Sequence, residues 1–91
     1  MLEESHLKII GKNLKLARKR TFPNDTQFDA ALRIGVSRAT YQKMEKGDLS
    51  ISLGAYLSAA DIYSSIDDFK SLFNKPVEST DLFEEFGVKN E

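Results

Sequence analysis

Ninety-one residues, 41% of them apolar, are enough for one small domain with a compact core and too few for two. With no cysteine and a single histidine, His6, the chain offers neither disulfides nor a thiolate metal site, no structural zinc or other metal is expected, and His6 reads as a solvated helix residue. The net charge of −1 conceals a division: ten Lys/Arg face seven Asp/Glu over residues 1–66, and three face seven over residues 67–91, so a basic body carries an acidic end.

No apolar run approaches the ~20 residues of a membrane span. The opening MLEESHLKII is acidic and has neither the n-region nor the h-region of a secretory signal. A cytoplasmic protein without membrane contact is expected. Helical periodicity dominates throughout, which predicts an all-α fold.

SHLKIIGKNLKLARKR predicts the first helix. Leu7, Ile10, Leu14 and Ala17 recur at spacings of three, four and three, giving one buried stripe. Arg18, Lys19 and Arg20 fall in the last turn, where the negative end of the helix dipole favours cations. TFPND then interrupts the pattern, because Pro23 disfavours helix at the residue before it.

The second helix, QFDAALRI, is predicted to start at Thr26, with Asp29 three residues on as the partner in a capping box, and to stop at Gly35. The third, RATYQKMEK, takes Ser37 as its N-cap and stops at Gly47. Ser52 caps a fourth helix whose Leu53, Tyr56, Leu57, Ala60 and Tyr63 share a face. A short fifth helix over Asp67–Phe73 presents Ile66, Phe69, Leu72 and Phe73. Beyond it, residues 75–91 form an acidic C-terminal tail in which Leu82, Phe83 and Phe86 make a brief apolar pattern, too short for a stable isolated helix. Residues 1–74 are thus the folded domain.

The three-residue connection Gly35-Val36-Ser37 is the spacing of a helix-turn-helix. On the third helix Tyr41 and Met44 point inward, leaving Arg38, Ala39, Gln42 and Lys43 outward with Lys46 at the C-terminal edge. Arg and Lys donate to guanine O6 and N7, Gln pairs with adenine, and Ala contacts a thymine methyl while letting the helix approach the groove floor. Ser37, Thr40 and the free amides of the helix start suit phosphate oxygens. On spacing alone, a helical hairpin with a solvated second helix accounts for the same residues equally well.

The stretch LKLARKR…TQFDAALRIGVSRATYQKMEKGDLSISLGAYLSAADIYSSIDDF resembles the lambda-repressor-like (Xre, Cro-type) helix-turn-helix family over about residues 7–73. The matching marks are Thr26-Gln27, Ala31, Gly35-Val36-Ser37, Thr40, Glu45-Lys46-Gly47 and Ser52-Leu53, in the family's order. The resemblance implies a five-helix DNA-binding domain with its helix-turn-helix at helices two and three. It implies base reading by Arg38, Ala39, Gln42 and Lys43, and phosphate contacts from Thr26, Gln27, Ser37, Thr40 and Lys46. It also makes Arg18 and Glu45 an ion pair that ties the first helix to the end of the third. A transcriptional repressor follows, binding palindromic double-stranded DNA as a homodimer, with Ile66, Phe69 and Phe73 as the candidate dimer surface and no cofactor.

SRATYQKMEKGDLSISLGAYLSAADIY followed by DDFKSLF is further similar to HipB-type antitoxins, which implies an autoregulatory member of a toxin-antitoxin operon with a HipA-type kinase toxin as partner. A stand-alone phage or cellular regulator is the alternative. No P-loop, nucleophile–base arrangement or paired carboxylates are evident, so catalysis is not expected. Two features depart from the family pattern. The segment between Arg18 and Gln27 is about two residues longer and contains Pro23, and Phe28 and Leu32 occupy positions that are normally polar. A rotation of helix two that buries Phe28 and Leu32 is the favoured expectation; an apolar patch for another subunit or protein is the other.

Overall fold

The computed structural model describes residues 2–74, with side chains from residue 6 onward. The acidic tail with Leu82, Phe83 and Phe86 lies outside the described residues. Five helices follow one another: α1 (Leu2–Thr21), α2 (Gln27–Ile34), α3 (Arg38–Lys46), α4 (Leu53–Ile62) and α5 (Ile66–Lys70). No strand occurs among the described residues. None of their helices is long and apolar enough to cross a membrane.

Local chemistry sets the helix boundaries. Thr26 and Asp29 form the reciprocal capping box: the Asp29 amide donates to Thr26 Oγ1 (3.1 Å) and the Thr26 amide to the Asp29 carboxylate (3.0 Å). Ser37 and Ser52 cap α3 and α4 by accepting from the amides of Thr40 and Ala55. Gly35 and Gly47 end α2 and α3 in the left-handed region, at φ 88° and 76°, where a side chain is strained.

α3 lies between α1 and α2, α4 packs on α2, and α5 packs on α4. The core contains Leu14, Ala17, Ala30, Ala31, Ile34, Tyr41, Met44, Ala59 and Tyr63. Among the described residues, only Tyr41 and Met44 are both large and fully enclosed. Four of the nine residues are alanines, so the helices gain their contact through close approach of backbones rather than through long interdigitating side chains.

The connection between α1 and α2 is drawn into this core. Phe22 is half-buried and packs beside Tyr63, with ring centroids 6.3 Å apart. The Arg33 guanidinium lies 3.5 Å over the Phe22 ring and grips the Asp25 carboxylate through two nitrogens. The Asp25 carbonyl accepts from Arg18 Nη1 (3.0 Å). A longer connection is thereby pinned at both ends.

Three expectations need correction. Phe28 and Leu32 are 52% and 65% exposed. Helix α2 instead buries Ala30, Ala31 and Ile34, a face centred on the side away from Leu32, so the rotation that would bury Phe28 and Leu32 does not occur. Ile10 is nearly half exposed rather than part of a closed stripe, because α1, α4 and α5 leave an open apolar groove that Ile10 lines together with the exposed Leu53. Helix α5 ends at Lys70, earlier than Phe73. Phe73 itself sits at φ 69° with its ring fully exposed, while Ile66 and Phe69 are half-buried against the domain. The three residues of the candidate dimer surface therefore do not form one equally exposed patch.

Candidate nucleic-acid interface

Helix α3 divides sharply into two faces. Tyr41 and Met44 are wholly enclosed, while Arg38, Ala39, Lys43 and Lys46 are exposed and Thr40 and Gln42 are half-exposed. Arg38, Ala39, Gln42, Lys43 and Lys46 follow the spacing of a single helical face. Among the described residues, none of the side chains of Arg38, Gln42, Lys43 and Lys46 is engaged in a hydrogen bond or an ion pair. Their donors are thus left to an outside acceptor.

The opposite face is fixed by a polar network. Arg18 Nε and Nη2 donate to the two oxygens of Glu45 (2.8 and 3.2 Å), Gln27 Nε2 donates to Glu45 Oε1 (2.9 Å), and the Tyr41 hydroxyl donates to Glu45 Oε2. The side chains of Arg18 and Glu45 are only 8% and 5% exposed, so this is a buried, bidentate pair and not a surface contact. One carboxylate thereby joins α1, the first residue of α2 and the body of α3. Burial pushes the Glu45 carboxyl up, but the hydrogen bonds from Arg18, Tyr41 and Gln27 outweigh that and hold it below the ordinary carboxylate value. The same bond to Glu45 raises Arg18, and burial, reinforced by Glu45, pushes the Tyr41 hydroxyl up.

This arrangement sets the electrostatics of α3. Its only acid, Glu45, is turned inward and neutralised, so the outward face carries Arg38, Lys43 and Lys46 without compensation on the helix itself. Asp48 follows in the next turn, accepting from the amide and hydroxyl of Ser50, which holds its carboxyl low.

The remaining expected contact residues differ in what they have left to give. Ser37 Oγ accepts from the Thr40 amide and donates to Thr40 Oγ1, so of the two hydroxyls it is that of Thr40 that keeps its proton. Thr26 accepts from the Asp29 amide and retains its own hydroxyl proton, with the Asp29 carboxylate beside it. Gln27 spends one N–H on Glu45 and keeps the second. All five expected phosphate contacts lie at the starts of α2 and α3 or at the α3 C-terminus.

Two residues of the site carry no assignment from the sequence. Lys15 of α1 shares a cleft of about 280 Å³ with Gln27, Gln42, Glu45 and Lys46. Gly11, also on α1, meets the backbone at the end of α3: a methyl group there would lie 2.5 Å from the Glu45 carbonyl oxygen. A glycine inside a helical pattern is a signal of close approach, though it does not say to what. Compared with known proteins, the chain matches no family model, no curated protein and no solved structure.

Proposed function

We propose that the chain is a sequence-specific DNA-binding protein of the lambda-repressor-like helix-turn-helix kind, with α2 and α3 as the helix-turn-helix and α3 as the recognition helix. One observation carries this reading. The outward face of α3 holds unpartnered Arg38, Gln42 and Lys43 around the small Ala39, while the same helix is locked from behind by the buried Arg18–Glu45–Gln27–Tyr41 network. Groove reading needs both parts: donors free to meet base edges, and a helix whose angle is already set.

In this reading Arg38 and Lys43 address guanines, Gln42 an adenine and Ala39 a thymine methyl. Thr26, Gln27, Ser37, Thr40 and Lys46 hold phosphates, with the Thr26 and Thr40 hydroxyls, the second N–H of Gln27 and the Lys46 ammonium as the side-chain donors still available. A single recognition helix reads half a site, so the working form is a homodimer on a palindrome with half-sites about 34 Å apart. Ile66, Phe69 and Phe73 remain the candidate dimer surface, led by the fully exposed Phe73.

The role is that of a transcriptional repressor, and the resemblance to HipB-type antitoxins makes an autoregulated toxin-antitoxin operon with a HipA-type kinase its narrower form. No catalytic role is proposed. Selection of bound duplexes from a random pool at two salt concentrations tests the reading. An enriched palindromic motif supports it, and absence of enrichment at both salt concentrations sinks it.

A further inference from the structure

Along α1, Lys8, Lys12, Lys15 and Lys19 recur at spacings of four, three and four, which on a helix of 3.6 residues per turn sets them in one row. All four are exposed. Among the described residues none of them forms an ion pair; the two salt bridges there are Arg18–Glu45 and Arg33–Asp25. Each lysine has another lysine three or four residues away, and like charges at that spacing destabilise a helix. A local rule broken three times along one row calls for a compensating partner of opposite charge.

The row meets the recognition helix at Lys15, which shares its cleft with Gln42 and Lys46 of α3. The carboxylate in that cleft, Glu45, is saturated by Arg18, Tyr41 and Gln27 and does not neutralise Lys15. Positive charge therefore continues from Lys46 across the cleft to Lys15 and along α1. At 1.5 Å per residue, Lys8 to Lys19 spans about 16 Å. One strand of duplex DNA presents a phosphate about every 3.4 Å of helix axis, so the row is long enough to meet several of them.

We infer that the lysine row of α1 is a second, sequence-independent contact surface for the phosphate backbone of duplex DNA, flanking the base-reading face of α3. This rests on the DNA-binding reading above and extends its footprint to a helix outside the helix-turn-helix. Continuity with Gln42 and Lys46 is what favours a DNA backbone over an acidic polypeptide as the polyanion.

The test is the Lys12→Gln/Lys15→Gln/Lys19→Gln triple variant, titrated over a series of salt concentrations against a selected duplex and a random-sequence duplex. Glutamine matches lysine in helix propensity and removes the repulsion, so the fold is retained, as a thermal melt checks. The slope of log K against log salt is expected to become shallower by about 0.9 for each lost phosphate contact, equally on both duplexes. An unchanged slope overturns the inference. The Arg38→Ala variant separates this from the broader reading: if it loses preference for the selected duplex while the triple variant keeps the wild-type slope, only the lysine row falls. Failure of the unaltered protein to bind either duplex overturns both. Unchanged DNA binding with loss of poly-glutamate binding in the triple variant overturns the inference in favour of an acidic protein partner.

Discussion

Gly11 of α1 and Gly47 at the end of α3 meet backbone to backbone. A methyl group on Gly11 would come within 2.9 Å of the Gly47 nitrogen, and one on Gly47 within 2.6 Å of the Leu7 carbonyl. The close approach brings Glu45 against α1, where Arg18 reaches it. The crossing of α1 and α3 and the buried ion pair are therefore one construction: the glycines allow the distance and the charges select the angle.

Gly11→Ala is expected to destabilise the domain by about 1–3 kcal/mol, because the added carbon meets backbone that cannot rotate away. Alanine is otherwise the better helix former by about 1 kcal/mol, so the sign of the effect is diagnostic. Gly54→Ala serves as the control, since only Ser52 Oγ lies near, at 3.8 Å, and it should be neutral or stabilising. Urea midpoints of the two variants check the pair; a stabilised Gly11→Ala protein contradicts the close contact.

Removing one partner of the buried pair is expected to cost more. Arg18→Met leaves the Glu45 carboxylate enclosed without its cation, a change typically worth about 3–5 kcal/mol. The pH dependence follows from the direction of the Glu45 shift. A carboxyl held low in the folded state contributes its stability above its unfolded value of about 4.3, and that contribution is lost as pH falls through the lower folded value. Stability of the wild type should therefore decline on acidification below about pH 5, and Glu45→Gln should be less stable at neutral pH but decline less steeply. Asp25, held low by Arg33, adds a slope that persists in that variant. Denaturation curves across the acid range distinguish the two slopes.

Phe28 and Leu32 are exposed on α2, so Phe28→Ser and Leu32→Ser should each change monomer stability by no more than about 0.5 kcal/mol. Had the pair been core, losses of about 3–5 kcal/mol would be the rule. Met44→Ala, at a fully enclosed position, is the positive control at about 2–5 kcal/mol. A large loss at Phe28 at low protein concentration would show that its ring is covered within the monomer.

The elements legible in the sequence were those decided by local chemistry. The Thr26–Asp29 capping box, the Ser37 and Ser52 caps and the Gly35 and Gly47 stops each depend on residues a few positions apart, and each is present. The Arg18–Glu45 bond spans 27 positions, and only the family resemblance suggested it. Periodicity misjudged helix α2 because it equates apolar with buried. Ala30 and Ala31 fill the interior since a close helix contact has room for a methyl group and none for a phenyl ring. Gly11 signals a close approach but not its partner, because that partner is the backbone of another helix. On α5, five residues without a side-chain cap could not hold the helix as far as Phe73.

The outward face of α3 gives the prediction that bears on function. Arg38 stands exposed at its first residue, with no intramolecular partner among the described residues. Its removal costs the fold little, so a change in DNA binding reports contact and not unfolding. Arg38→Ala is expected to lose about 1–3 kcal/mol on the selected duplex, with relaxed preference at one base pair and little change in salt slope. Lys46→Ala, at the edge proposed to meet phosphates, should instead weaken selected and random duplexes alike and reduce the salt slope by about 0.9. Competition binding against a panel of single-base substitutions measures both. Equal losses on selected and random DNA for Arg38→Ala would move Arg38 from the bases to the backbone and leave Gln42 and Lys43 to account for specificity.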